Sequence, residues 1–427
     1  MKQFSILRAS VCIALASATS SQAIAAGFQV NEHSANGLGR AFAGQAAKPE
    51  NASVLATNPA AISVFDTSQV SVSANYINPN IDIDGEVDAN LGGQTATLDA
   101  SEDDIADAAL IPSAFYTTPV NDKLSLGVGL FANYGLSTDY SDDYNALHFA
   151  DTAEVVTMSV NPALAYKVTD TLSLGFGLSA TYAEAEISTS TPQAIGPLSG
   201  NLIPGNATIL KLEGDDWGYG WNVGAFWQAT ADTTLALSYR AETELDLSGD
   251  IESQLSPALN QGGELALDLA AITELAVDHR INQTWSVQAS AVHTQWSAFE
   301  KLEATLDDGS VLPIKREDFE NTWRLSLGAT YLYSDTLTLR AGYAYDEGAV
   351  SYAHRSLSIP DTDRHWLTVG ATYTLNDSSS VDMAYGYIKG REANVNQQRA
   401  VGPVVSTLTA TEHANAHLLS VQYNVSF

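Results

Sequence analysis

His417-Leu418-Leu419-Ser420-Val421-Gln422-Tyr423-Asn424-Val425-Ser426-Phe427 closes the chain, and its side chains alternate strictly. Leu419, Val421, Tyr423, Val425 and Phe427 fall on one face; Ser420, Gln422, Asn424 and Ser426 fall on the other. Period-two alternation turns one face toward an apolar medium and the other toward a polar one, and a terminal aromatic suits the girdle where hydrocarbon meets water. The stretch reads as the closing strand of a β-barrel in a bacterial outer membrane. A soluble β-protein can end the same way by coincidence, so the rest of the chain has to decide.

The other end agrees. Lys2 and Arg8 make a positive start, Ala9 to Ala18 is short and mostly apolar, and Ala23-Ile24-Ala25 offers small residues for cleavage. Residues 1–25 are therefore expected to be a signal peptide, with Ala26-Gly27-Phe28 as the mature start. No later stretch supplies the roughly 18 to 20 apolar residues of a spanning helix. The only cysteine, Cys12, lies in this leader, so no disulfide or thiol chemistry is expected in the mature protein. Without Lys2 and Arg8 the chain keeps 17 of its 19 basic residues against 50 acidic ones, a net −33 that disfavours nucleic acid as a partner. Asp82, Asp84, Glu86, Asp88, Asp99, Glu102, Asp103, Asp104 and Asp107 crowd one segment. It reads as a solvated surface loop, with divalent-cation bridging to lipopolysaccharide at the rim as the sharper alternative.

Working inward from the ends, a short polar turn recurs at residues 120–123, 168–171, 229–232, 281–284, 333–336 and 375–378, each rich in Asn, Asp or Thr. An alternating run follows each turn, such as Leu124/Leu126/Val128/Leu130, Leu172/Leu174/Phe176/Leu178 or Val381/Met383/Tyr385/Tyr387. Six turns separate seven hairpins, hence about 14 antiparallel strands, an even number as single-chain barrels require. The intervening segments, near 78–107, 136–154, 186–215, 245–268, 297–320, 346–362 and 388–414, are longer and are expected to be extracellular loops. A soluble sandwich would need the reverse arrangement, polar residues outward and large apolar ones packed inside.

About 14 strands enclose a lumen wide enough to leak unless it is filled. Residues 26–66 do not alternate; they include Gly37-Leu38-Gly39-Arg40-Ala41 and Asn58-Pro59-Ala60, small residues with a helix stop and start. They are expected to form a small helical hatch, with the barrel itself spanning 67–427.

The mature start Ala26-Gly27-Phe28-Gln29-Val30-Asn31-Glu32, the Gly37 to Ala41 run and Asn58-Pro59-Ala60 resemble the outer-membrane long-chain fatty acid transport (FadL-type) family, which includes aromatic hydrocarbon transporters. So do Asn133-Tyr134-Gly135-Leu136, Trp217-Gly218-Tyr219-Gly220-Trp221-Asn222, Trp296-Ser297-Ala298-Phe299 and Arg355-Ser356-Leu357-Ser358-Ile359-Pro360-Asp361-Thr362-Asp363-Arg364, in family order along the mature chain. The resemblance implies an all-β transmembrane barrel of 14 strands, monomeric, inserted by the barrel assembly machinery and embedded in outer-membrane lipid and lipopolysaccharide. It implies passive uptake of apolar molecules, captured between the third and fourth loops, passed to a pocket near Phe28, and released sideways at a kink in the third strand, here Asn133, Tyr134 and Gly135. Gly within a strand independently suggests a bulge or a gap in pairing.

A fatty acid also brings a carboxylate. The matching basic site is Lys315, with Arg316 beside it; a second family arginine falls near Thr189, where this chain has no base, and Lys211 is the nearest substitute. That departure keeps uncharged hydrophobes in play as alternative ligands. A general porin is a further alternative. An outer-membrane lipase-like enzyme would need a Ser–His constellation at the outer rim; Asp278-His279 lies by a turn and Asp363-Arg364-His365 has no evident serine partner, so no catalysis is expected. The histidines show no metal-ligand spacing, and neither metal nor cofactor is expected.

Overall fold

The computed structural model describes residues 27–427, so the expected leader and Ala26 lie outside the described residues. The wall is one closed antiparallel sheet. Of its 21 paired segments, six form hairpins beyond the wall and two are halves of one interrupted strand, which leaves 14 wall strands. They are β1 (Gln69–Leu91), β2 (Ala109–Pro119), β3 (Leu124–Phe131 and Gly135–Asp139), β4 (Thr152–Lys167), β5 (Leu172–Ser190), β6 (Thr208–Gln228) and β7 (Thr233–Arg240), followed by β8 (Ile272–Arg280), β9 (Trp285–Thr294), β10 (Thr322–Ser334), β11 (Leu337–Asp346), β12 (Arg364–Asn376), β13 (Ser379–Gly390) and β14 (Val404–Ser426). β14 pairs with β1 along its whole length, from Gln69 opposite Ser426 to Leu91 opposite Val404, and this seam closes the barrel. All six expected turns join neighbouring strands at the end where Ser68 accepts a hydrogen bond from the Phe427 amide, 3.0 Å.

The seam strands show why the expected loop boundaries shift. In lower β1, Val72 and Tyr76 face out and are exposed while Ser71, Ser73 and Asn75 are buried inside. From Ile77 upward the pattern inverts: Ile77, Ile81, Ile83 and Val87 are buried, and Asp84, Glu86 and Asp88 face water. Its partner β14 inverts at the same level, Leu419 out and Leu418 in, opposite Tyr76 and Ile77. Below this line the medium outside is hydrocarbon; above it the medium is water, and the strands continue with an ordinary soluble polarity. Much of the expected loop at 78–107 is therefore strand: β1 runs to Leu91 and Gln94–Asp99 folds back on it. Likewise Ala393–Val401 pairs with β14 within the segment expected as loop 388–414. The acidic residues had the look of a loop, but they alternate with inward isoleucines.

Residues 27–66 fill the lower lumen. A single helical turn, Ala35–Leu38, and two 3-10 turns, Ala52–Ala56 and Pro59–Val64, are each started by a side-chain cap from Ser34, Asn51 or Asn58. Wall glycines make the seat. A β-carbon at Gly342 would stand 2.1 Å from the Arg40 carbonyl carbon, one at Gly175 2.2 Å from the Ala60 nitrogen, and one at Gly370 2.8 Å from the Gly39 α-carbon. Side chains are excluded there because two backbones touch. Ala41 and Phe42 take left-handed φ of 52° and 58° at this approach, a conformation that costs L-residues about 1–2 kcal/mol each. Ion pairs bolt the segment down: Glu50 receives both Arg40 and Arg340, the latter at 2.9 Å, and Lys48 reaches Asp278 at 3.2 Å. Asn58, the cap residue, donates from Nδ2 to the carbonyls of Ala46 and Ala225, tying hatch to wall.

Candidate functional site

β3 is broken at the level where the hatch begins. Its lower half pairs with β2 up to Ala114 opposite Leu130, and there the ladder stops. β2 continues to Ala109 against β1. On the other side β4 holds both halves, Phe131 opposite Ser159 and Gly135 opposite Val156, so Ala132, Asn133 and Tyr134 bulge across Thr157 and Met158. Residues 28–30 take up the freed backbone groups: the Val30 amide donates to the Asn133 carbonyl at 2.7 Å, and the Gly135 amide donates to the Phe28 carbonyl at 2.9 Å. The two groups singled out in the sequence as far apart as Phe28 and Asn133-Tyr134-Gly135 are thus brought into one place.

Phe28 is buried in an aromatic cluster, its ring 4.7 Å from Trp296, 5.3 Å from Phe299 and 5.9 Å from Tyr134. Above it an apolar column continues through Leu245, Leu247, Leu267 and Leu269 to Ile187 and Ile314. Ile187 and Ile314 also line a cavity of about 560 Å³ between the loop at 191–207, the hairpin tip at 253–260 and the hairpin strands Val311–Arg316 and Ala393–Val401. That volume lies in the range of small-molecule pockets, and the walls are mostly aliphatic. The segments near 186–215 and 245–268, expected to form the capture region, are in this way linked to Phe28 through one apolar cluster.

Lys315 lines the cavity. Its ammonium donates to Ser356 and, at 2.8 Å, to Ser358, and it pairs with Glu317 at 2.8 Å. Burial pushes the Glu317 carboxyl up while Lys315 pulls it down. Arg316, the next residue in the same strand, points the other way and is spent on Asp318 and Glu300 at the surface, 2.8 and 3.6 Å. Lys211 stands outside too, held by Glu186 and Glu213 at 3.2 Å each. The base that reaches Thr189 is Arg399, whose Nη2 lies 3.3 Å from the Thr189 hydroxyl. It comes from the hairpin strand Ala393–Val401, more than 200 residues away in sequence, which is why no local pattern exposed it.

The Arg355 to Arg364 motif serves as a strap. Buried Asp361 pairs with Arg364 and accepts the amides of Ala349 and Val350; burial lifts its carboxyl to about 6 against the pull of Arg364. The strap in turn is fastened to upper β3, since Thr138 and Tyr140 donate to the carbonyls of Ser358 and Leu357 at 3.1 and 3.0 Å. His365 lies on the outer wall against Tyr343 and Tyr345, its Nδ1 2.8 Å from the Tyr343 hydroxyl, and His279 sits at the turn end beside Thr233. Those partners orient an interfacial ring; they do not assemble a nucleophile and base.

A lipid-facing wall, a backbone-tight hatch and a greasy column leading to a broken strand define a class: outer-membrane channels for hydrophobic molecules. The model of the outer membrane protein transport protein family (OMPP1/FadL/TodX) matches residues 16–427, and the chain belongs to that family. It is 36% identical over 398 residues to the long-chain fatty acid transport protein of Escherichia coli O6:H1, covering 86% of this chain and 88% of that one. Outer membrane protein P1 of Haemophilus influenzae is 35% identical over 439 residues, covering 94% and 95%. Among solved structures, a Pseudomonas aeruginosa FadL homologue superposes with TM-score 0.84 at 24% identity, over 94% of this chain and 100% of that one. The Pseudomonas putida toluene transporter TodX does so with TM-score 0.66 at 18% identity, over 95% and 100%. The last two likenesses speak to the fold. The family places the protein in the bacterial outer membrane, among transport channels rather than enzymes.

Proposed function

We propose that the protein imports long-chain fatty acids by passive diffusion, from the loop cavity through the apolar column to the wall opening at Asn133-Tyr134-Gly135, where they leave sideways into the membrane. The observation that carries this reading is the sharing of Ile187 and Ile314 between cavity and column, because the column ends on Phe28 and Tyr134 at the strand break. Sideways release keeps the tail in hydrocarbon throughout, at about 0.8 kcal/mol per CH2 that a watery lumen would forfeit. In this reading residues 1–25 are the leader, 26–66 the hatch and 67–427 the barrel of a monomer inserted by the barrel assembly machinery among outer-membrane lipid and lipopolysaccharide.

Uncharged hydrophobes such as aromatic hydrocarbons are the second reading, favoured by one observation: Lys315 is already neutralised by Glu317. The test of the exit is the double variant Asn133→Val/Gly135→Ala, which regularises the bulge. In cells lacking their own importer, oleate uptake should fall about tenfold with surface expression unchanged, a transition-state loss near 1.4 kcal/mol. Wild-type uptake by the variant would remove the strand break from the route.

A further inference from the structure

We propose that the outer wall carries a seat for the phosphate of an outer-leaflet glycolipid, built from Lys389, His365 and His417 on three adjacent strands; this rests on the reading above that the barrel sits among lipopolysaccharide.

The seat lies where the outward face of the wall changes medium. Across β12, β13, β14 and β1 one ladder row presents Val369, Tyr385, Leu419 and Tyr76, all exposed aliphatic or aromatic side chains. Two rows nearer the extracellular rim the same strands present His365, Lys389, Asn415 and Asn80. The row between contains His417, opposite Tyr387. Both histidines are clasped in the same way. Tyr345 stands directly opposite His365 as Tyr387 does opposite His417, and the hydroxyl of the tyrosine two residues earlier, Tyr343 or Tyr385, lies 2.8 Å from Nδ1. With that hydroxyl donating, the imidazole proton sits on Nε2, which has no partner among the described residues. Lys389, directly opposite His365, is exposed and forms no ion pair among the described residues. Other outward cations of the extracellular half are paired: Lys211 with Glu186 and Glu213, Lys301 with Glu303, Arg316 with Asp318.

A different side of the wall shows what this arrangement excludes. On β5 and β6 the outward residues just above Tyr182 and Trp217 are Glu184, Glu186, Asp215 and Glu213, which repel an anionic headgroup. In a chain with 50 acidic residues against 19 basic ones, a lysine without a carboxylate between two oriented imidazoles marks one side of the rim for the opposite charge. A phosphate monoester brings a charge near −2 and three acceptor oxygens. Lys389 offers three donors and each imidazole one. A glycolipid supplies both halves of the match: acyl chains along the exposed Leu367, Val369, Met383 and Leu419, and phosphate at the row where the wall turns polar. A soluble acidic partner lacks the first half. The tyrosines beneath fix the depth of the headgroup, as aromatic side chains do at a membrane interface.

The experiment titrates purified full-length mature protein in detergent with bisphosphorylated lipid A and with the same lipid after removal of its phosphates, and native mass spectrometry reads the lipid bound per barrel. Lys389→Gln should weaken the phosphorylated lipid about fivefold, the size expected for one basic side chain at an anionic headgroup. Adding His365→Phe and His417→Phe, which keep a ring against the tyrosines, should bring the loss to about tenfold or more, as hydrogen bonds to a charged group are removed. The dephosphorylated lipid should bind every variant within about twofold of the wild type, which also shows that the wall is intact. Lys301→Gln, a cation already paired with Glu303, should leave both lipids unchanged. Equal retention of the phosphorylated lipid by wild type and triple variant, equal losses for both lipids, or a wild type without preference for the phosphorylated form would overturn the proposal. A wild type that retains neither lipid would instead overturn the reading that the barrel sits among lipopolysaccharide.

Discussion

The lower and upper halves of the lumen are sealed by different means. Below the strand break the seal is close-packed and tied by charge: backbone on backbone at Gly342, Gly370 and Gly175, Val54, Leu55 and Ile62 against Phe115 and Phe131, and Glu50 gripping two arginines. Above it the seal is apolar: Phe28, Trp296, Phe299 and Phe319 close ring on ring over a column of leucines. On the proposed route both keep out water and ions. On that proposed route a hydrophobic molecule is refused only by the lower one, since displacing apolar side chains by an apolar ligand costs little hydration. The level where the two seals meet is the level where β3 is broken, and on the proposed route the difference between them sets the direction of travel.

The largest expected effect comes from removing the lower seal. Deleting residues 27–60 should raise single-channel conductance in planar bilayers by about tenfold or more, because a barrel approaching 16 strands otherwise holds an aqueous channel. Unchanged current would mean that the lower seal is not what keeps ions out. A subtler break targets the seat. Gly342→Val places side-chain carbon where the Arg40 carbonyl now lies, and should lower stability by about 1–3 kcal/mol, the usual range for overpacking. The urea midpoint, read by the loss of the compact band on unheated gels, measures it. A variant as stable as the wild type would show that the hatch does not touch the wall this closely.

What could be read from the sequence followed from local rules. The Leu419 to Phe427 alternation, the six turns and the Asn58-Pro59 cap each depend on residues a few positions apart, and each appears in the structure where it was expected. In the upper strands Asp82, Asp84, Glu86 and Asp88 resemble a loop when the medium is assumed constant; the inward Ile81, Ile83 and Val87 supply the missing half of the pattern. Lys315 stands out by motif, but only the fold buries Glu317 against it, and Arg316 faces the opposite way because adjacent residues in a strand do. Arg399 was invisible for a different reason. It reaches Thr189 from a distant hairpin, and such neighbours in space leave no spacing in the sequence.

The central claim is that the ligand leaves through the wall and not through the lumen, and the hatch can be locked to ask this directly. A β-carbon at Gly328 would stand 3.0 Å from that of Ala43, slightly inside the roughly 3.8 Å of a disulfide, and Cys12 is the chain's only cysteine. The measurement is oleate uptake by cells carrying Ala43→Cys/Gly328→Cys, compared between the oxidised and reduced states. Lateral exit predicts the same uptake in both, with the hatch fixed in place and Phe28 still free to give way. Uptake lost on oxidation and restored on reduction would contradict it, and would send the ligand down through the lumen.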